Sequence, residues 1–121
     1  INGARMGFLC RPAWFRPGFQ KHAGEVCGGV FVHVTDPAAF RPVRVYLELL
    51  RRIRRRWPER FAWRREAYEF VEDVPAFELL AGGPWARGWL EADAAPEELD
   101  ALLAPREEAW RETRRPFLLY P

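Results

Sequence analysis

The stretch Arg41-Pro42-Val43-Arg44-Val45-Tyr46-Leu47-Glu48-Leu49-Leu50-Arg51-Arg52-Ile53-Arg54-Arg55-Arg56-Trp57-Pro58 decides most of the fold. Val43, Tyr46, Leu49, Leu50, Ile53 and Trp57 recur at helical spacing, with Arg44, Glu48, Arg51, Arg52, Arg55 and Arg56 largely on the other side. The pattern predicts one amphipathic helix over about 41–57. Pro42 suits a first turn, where its missing N–H costs nothing, and Pro58 stops the helix. Glu48 stands four residues before Arg52, a favourable helical pair. The Arg51–Arg56 run has the look of a nucleic-acid patch. Ile53 and Trp57 split it, and 19 basic against 17 acidic residues leave a net charge of only +2. A solvated helix face is the reading that fits.

Working outward, Val30-Phe31-Val32-His33-Val34 is β-branched and aromatic and reads as a strand, ended by Thr35-Asp36-Pro37. Asp36 suits the cap of a short turn with Pro37 at its first position. Residues 4–9 read as a short strand. Residues 12–29, with Pro12, Pro17, Gly18, Gly24, Gly28 and Gly29, read as a long loop, a length unusual in a compact domain unless it is functional. Downstream, 61–70 reads as extended, 75–81 as a short helix stopped by Gly82-Gly83, and 84–92 as another. Residues 96–114 read as a last long helix that Pro105 breaks or kinks, and 116–120 as an apolar strand or tail. This order predicts an α+β fold: a single compact domain with a small mixed β-sheet, one long amphipathic helix and several shorter helices.

Of the 121 residues, 49% are hydrophobic and 30% charged, enough apolar side chain for one core. No apolar run approaches the ~20 residues of a membrane helix, and none resembles a signal peptide, so no membrane partner is expected. The chain opens on Ile1 and reads as a fragment or a processed chain, which leaves its compartment open, cytoplasmic or exported. Lys21 is the sole Lys, Ser is absent and Pro occurs 11 times. Such a composition fits a thermophile, and equally a GC-rich genome.

Several chemistries find little support. The absence of Ser excludes a serine triad. Cys27-Gly28-Gly29-Val30 precedes a strand, whereas a phosphate loop opens a helix. His22-x4-Cys27-x5-His33 matches no common zinc spacing, so neither metal nor cofactor is expected. Cys10 and Cys27 allow at most one internal disulfide, neither sits in a CxxC, and they read as two reduced, buried small side chains. Glycoside hydrolysis needs paired carboxylates. Glu66, Glu69, Glu72 and Asp73 form an acidic cluster, read as a solvated edge. The most informative segment is Phe15-Arg16-Pro17-Gly18-Phe19-Gln20-Lys21-His22-Ala23-Gly24. Gln, Lys and His at three consecutive loop positions suit a polar or anionic ligand.

That segment also carries a resemblance. Phe15-x-Pro17-x-Phe19-x-Lys21-His22-x-Gly24, then Cys27-x-Gly29-Val30 leading into His33-Val34-Thr35-Asp36, resemble the C-terminal domain of the bacterial exo-β-N-acetylmuramidase family, formerly a domain of unknown function. Phe40-Arg41-Pro42, Trp57-Pro58, Leu79-Leu80-Ala81-Gly82 and Phe117-Leu118-Leu119-Tyr120 continue the likeness over nearly the whole chain. The resemblance implies a two-part glycoside hydrolase that releases N-acetylmuramic acid from peptidoglycan fragments. A Rossmann-like N-terminal domain, absent from this chain, would carry the catalytic carboxylate, and the present domain would form one wall of the sugar cleft. It would hold no catalytic residue, and the fragment alone would be inactive. Lys21, His22 or Arg41 would pair with the lactyl carboxylate, and Gln20 with sugar hydroxyls or the acetamido group. Two rival readings are a stand-alone carbohydrate- or peptidoglycan-binding module, which would bind sugar by itself, and an Arg-rich nucleic-acid-binding domain, whose affinity would fall steeply with salt.

Overall fold

The structure is a computed structural model that describes residues 6–120. The chain divides into two units, one up to Pro42 and one from Val43 onward.

The first unit is a β-hairpin. Strands β1 (Phe8–Phe15) and β2 (Cys27–Val34) pair antiparallel, from Phe8 opposite Val34 to Phe15 opposite Cys27. Both strands reach further into the Pro- and Gly-rich region than its composition suggests, and the loop shrinks to 16–26. Pro12 sits within β1 opposite Val30. A two-stranded ribbon has only edge strands, so its missing N–H can face outward at no cost to the ladder. Gly29 makes room for a cross-strand aromatic: a Cβ there would stand 3.1 Å from Phe15 Cε1, whereas one on Gly28 would meet Trp14 Nε1 at an ordinary 3.9 Å. Of the strand expected at 4–9, residues 4 and 5 lie outside the described residues.

Gly7 closes the base. Its φ is +70°, and its carbonyl accepts from the N–H groups of Thr35 (2.9 Å) and Asp36 (3.1 Å). Asp36 caps the next turn as expected, Oδ1 accepting from Ala38 N–H at 2.9 Å. Phe8 is fully buried and meets the Phe40 ring edge-on at 5.9 Å. The register also separates the cysteines. Cys10 stands opposite Val32 and Cys27 opposite Phe15, five residues along β1 and therefore on opposite faces. That is ~17 Å of strand, where a disulfide needs Cα atoms within about 7 Å. Both thiols are free.

The second unit is helical: α1 (Pro42–Arg56), α2 (Ala76–Ala81), α3 (Trp85–Glu91) and α4 (Pro96–Arg114). Gly82 (φ 71°) and Gly83 end α2, with Gly83 N–H on Glu78 O and Gly82 N–H on Leu79 O. This double bond pattern satisfies the last carbonyls of the helix. Helix α4 starts as Glu98 Oε1 accepts from Ala95 N–H at 3.0 Å, and it runs through Pro105 without ending there. The core joins Leu47 of α1, Ala86, Trp89 and Leu90 of α3, and Leu99 and Leu103 of α4. Each buried leucine contributes ~1.5–3 kcal/mol.

Helix α1 occupies the expected span, but its buried side differs from the expected stripe. Val45, Leu47 and Glu48 are buried, whereas Val43, Tyr46 and Trp57 are about half exposed. Val43, Tyr46 and Leu50 instead line an open apolar groove of ≈ 580 Å³ with Leu80, Leu103 and Trp110. Periodicity locates an apolar side of a helix without telling a core from an open groove. Most of the Arg run is structural. Arg54 Nη1 donates to Leu90 O (2.9 Å) in the last turn of α3, and Arg51 Nη2 to Asp93 O (3.2 Å) just beyond that helix. Arg51 and Arg55 both pair with the Asp93 carboxylate, and Arg44 forms a two-pronged pair with Asp100.

The α+β class and the long amphipathic helix hold, but the sheet is a two-stranded antiparallel ribbon and no mixed sheet. Segment 61–70 contributes only an isolated bridge between Tyr68 and Val71. Its aromatics diverge: Trp63 packs on Phe77 while Phe70 is 98% exposed. The end of the chain holds a 3₁₀ turn (Arg115–Phe117) followed by exposed residues.

Candidate functional site

The hairpin loop, 16–26, presents Gln20, Lys21 and His22 to solvent. It is an organised turn. Gly24 N–H donates to Pro17 O at 2.9 Å and pinches the loop near its base. Beyond that bond, Ala23 N–H reaches Gln20 O (3.4 Å) and Glu25 N–H reaches His22 O (3.0 Å). The backbone angle φ is +62° at Gln20, +58° at His22 and +80° at Gly24, with Lys21 and Ala23 on the negative side. A non-glycine residue in the left-handed region costs about 1 kcal/mol or more, and such residues gather at functional sites.

Alternation of φ sign along successive residues turns neighbouring N–H groups toward one side. This is the pattern of an anion-binding backbone concavity. The N–H groups of Lys21 and His22 have no acceptor among the described residues. The Lys21 ammonium and the Gln20 amide likewise have no partner there. His22 Nδ1 lies 3.4 Å from Glu25 Oε2, both side chains largely exposed. The loop therefore offers two free backbone donors, one free cation and one free amide within three residues.

Arg41 does not join this group. It follows Phe40, whose ring packs on Phe8 at the base of the hairpin, while the loop caps the other end. The seven residue steps of β1 between them span ~23 Å. Arg41 and Lys21 cannot hold one carboxylate together.

The loop is surrounded by apolar surface. Phe19 is 76% exposed and Trp14 74%, and Phe15 and Val26 are more than half exposed. Exposed apolar surface around a polar loop marks a contact surface.

The whole described domain matches one family model, exo-β-N-acetylmuramidase NamZ, C-terminal, over residues 2–120. The chain belongs to the NamZ C-terminal family. It is 32% identical over 114 residues to a peptidoglycan β-N-acetylmuramidase NamZ of Bacillus subtilis (strain 168), a match covering 94% of this chain and 26% of that protein. The chain thus spans about a quarter of the NamZ relative's length. No solved structure matches. Among the described residues no group of His, Cys, Asp and Glu is arranged to hold a metal ion, and no helix is long and apolar enough to cross a membrane.

One site was not foreseen from the sequence. Segment 61–75, between α1 and α2, folds into a fixed irregular loop. Trp63 Nε1 donates to Glu91 Oε1 (2.9 Å), Arg64 Nη2 to Ala67 O (3.3 Å), and Tyr68 and Val71 exchange two backbone bonds (3.2 and 3.1 Å). Arg87 of α3 donates to Glu78 of α2 (2.8 Å) and to Glu91 (2.9 Å), the same carboxylate oxygen that accepts from Trp63. The hydrogen bond from Arg87 holds the Glu91 carboxyl below the ordinary glutamate range. The one sequence signal for this loop is its length without regular periodicity, between a proline-stopped helix and Pro75.

Proposed function

We propose that this chain is the C-terminal part of an exo-β-N-acetylmuramidase and forms one wall of its sugar cleft. An N-terminal catalytic domain of the same polypeptide supplies the reacting carboxylate. Family membership supports the parent activity, and the hairpin loop supports the role of this part. The observation that carries it is the alternating backbone at Gln20–Gly24, with free N–H groups at Lys21 and His22 beside the Lys21 ammonium. N-acetylmuramic acid differs from other N-acetylated sugars in its lactyl carboxylate, and this loop suits such an anion. Lys21 and the two N–H groups hold the carboxylate, His22 closes over it, and Gln20 serves a hydroxyl or the acetamido group. Arg41, at the far end of the hairpin, acts elsewhere, toward the sugar chain or the partner domain. Trp14, Phe15, Phe19 and Val26 are the surface that the catalytic domain covers. No catalytic residue is assigned to this chain.

The nucleic-acid reading loses its basis, since Arg44, Arg51, Arg54 and Arg55 are engaged within the helical unit. The test is Lys21→Ala and His22→Ala in the two-domain enzyme, assayed on a chromogenic N-acetylmuramic acid β-glycoside. A charge-assisted bond contributes about 1.5–3 kcal/mol, so Lys21→Ala lowers kcat/KM by about 10-fold or more. The loss should shrink on the matching N-acetylglucosamine glycoside, which lacks the lactyl group. Unchanged kcat/KM in both variants would end the assignment.

A further inference from the structure

The helical unit carries a second cleft, of ≈ 480 Å³, formed by segment 61–75 with Arg87 of α3. Its lining divides into three kinds of group. Phe61 and Trp63 supply partly buried aromatic surface, their rings edge-to-face at 5.0 Å and Trp63 fixed by its bond to Glu91. Arg64 and Arg87 are already spoken for: Arg64 by Glu66, the Ala67 carbonyl and the Tyr68 ring, Arg87 by Glu78 and Glu91. Arg65, Glu72 and Asp73 remain, and none of them has an ion-pair or hydrogen-bond partner among the described residues.

Opposite charges lining one cleft ordinarily pair with each other. Here they do not. The Tyr68–Val71 bridge, with Glu69 at φ +55°, folds the segment into a tight turn with Arg65 on its incoming arm and Glu72-Asp73 on its outgoing arm. Arg64 is tied down on the incoming arm, and Pro75 opens α2 after the outgoing one. One arm carries an unpartnered guanidinium and the other two unpartnered carboxylates, with apolar rings lining the same cleft. A neutral ligand would leave both charged groups unused, and a simple anion or cation would use only one.

We propose that this cleft binds a zwitterionic short peptide or amino acid, its ammonium at Glu72 and Asp73, its carboxylate at Arg65, and its apolar part against Phe61 and Trp63. The site lies apart in sequence from the sugar loop and does not depend on the reading of that loop. Charge-assisted bonds at both ends set the affinity, and the rings set the preference for apolar side chains.

The test uses the chain with trialanine as the probe, followed by the Trp63 indole N–H signal in ¹⁵N-resolved NMR. Trialanine should shift that signal saturably in the millimolar range. N-acetyl-trialanine lacks the ammonium and trialanine amide lacks the carboxylate, so each should bind at least about 10-fold more weakly, the loss expected for one charge-assisted contact. Arg65→Ala should erase the difference between trialanine and its amide while keeping the effect of acetylation. Glu72→Gln with Asp73→Asn should do the reverse. All three side chains are exposed, so the variants fold, and unchanged spectra away from the cleft confirm it. Equal binding of the three peptides, no shift at any concentration, or a saturable shift with chito-oligosaccharide in place of peptide would overturn the proposal.

Discussion

Two glycines of the hairpin unit share a left-handed backbone but differ in surroundings, and the difference is measurable. Gly7 (φ +70°) and Gly24 (φ +80°) would each charge an alanine about 1–2 kcal/mol for that conformation. At Gly24 nothing lies within 4 Å of the new Cβ, so that term is the whole effect. At Gly7 the Cβ would fall 2.4 Å from Asp36 O and 2.9 Å from Phe40 N, both backbone atoms. Ordinary carbon–oxygen contacts are about 3.3 Å or longer, so the 36–40 turn must move by about 1 Å. Such a shift disrupts the bonds from Thr35 and Asp36 to the Gly7 carbonyl, each contributing ~0.5–1.5 kcal/mol. Gly7→Ala therefore costs about 3 kcal/mol or more, and Gly24→Ala about half that. The assay is native-state hydrogen exchange of the β1 and β2 amides, which reads opening of this unit alone. Gly7→Ala should accelerate exchange across the ladder by about 100-fold, and Gly24→Ala by about 10-fold. Equal effects of the two substitutions would mean that the contacts at Asp36 and Phe40 cost nothing, contrary to this expectation, since only the clash distinguishes the two sites.

Other predictions follow from the helical unit and the thiols. Leu99→Ala, at a fully buried core position, should destabilise by about 3 kcal/mol in urea denaturation, whereas Leu80→Ala, 70% exposed, should stay within ~0.5 kcal/mol. Because Arg87 lowers the Glu91 pKa in the folded chain, that carboxylate contributes stability above the ordinary glutamate range, and the contribution is lost as pH falls through the lowered value. Melting temperature against pH should accordingly show a steeper acid limb in the native chain than in Glu91→Gln, and identical limbs would remove the pair from the account. Mild oxidation should leave Cys10 and Cys27 unlinked within one chain, with mass spectrometry finding two alkylatable thiols after treatment.

Helix positions were legible in the sequence because proline and glycine punctuate them: Pro42 and Pro58 bracket α1, Gly82-Gly83 close α2, and Pro96 opens α4. Strand extent was less legible. Pro12, Gly28 and Gly29 ordinarily argue against a strand, but here the proline meets an edge and Gly29 accommodates Phe15 across the ribbon. The buried side of α1 misled because Val43 and Tyr46 line a groove, which shares the period of a core contact. Arg51 and Arg54 read as surface charge, since their partners, the carbonyls of Asp93 and Leu90, are backbone groups about 40 residues away. Gln20, Lys21 and His22 stood out in the sequence as three consecutive polar residues of a Pro- and Gly-rich segment, and they lie exposed in the hairpin loop. Their alternating backbone and the distance of Arg41 are three-dimensional facts without a sequence signal. The cleft of Phe61, Trp63 and Arg65 was hidden for the same reason, its acidic residues reading as an ordinary solvated edge.

We propose that this chain completes a muramidase whose catalytic carboxylate lies in another domain. The most direct test compares hydrolysis of a chromogenic N-acetylmuramic acid β-glycoside by the present chain and by a two-domain polypeptide that carries it behind the N-terminal catalytic domain. Turnover is expected from the two-domain protein and none from the chain alone. Turnover by the chain alone, or none by the two-domain protein on this substrate, would contradict the proposal.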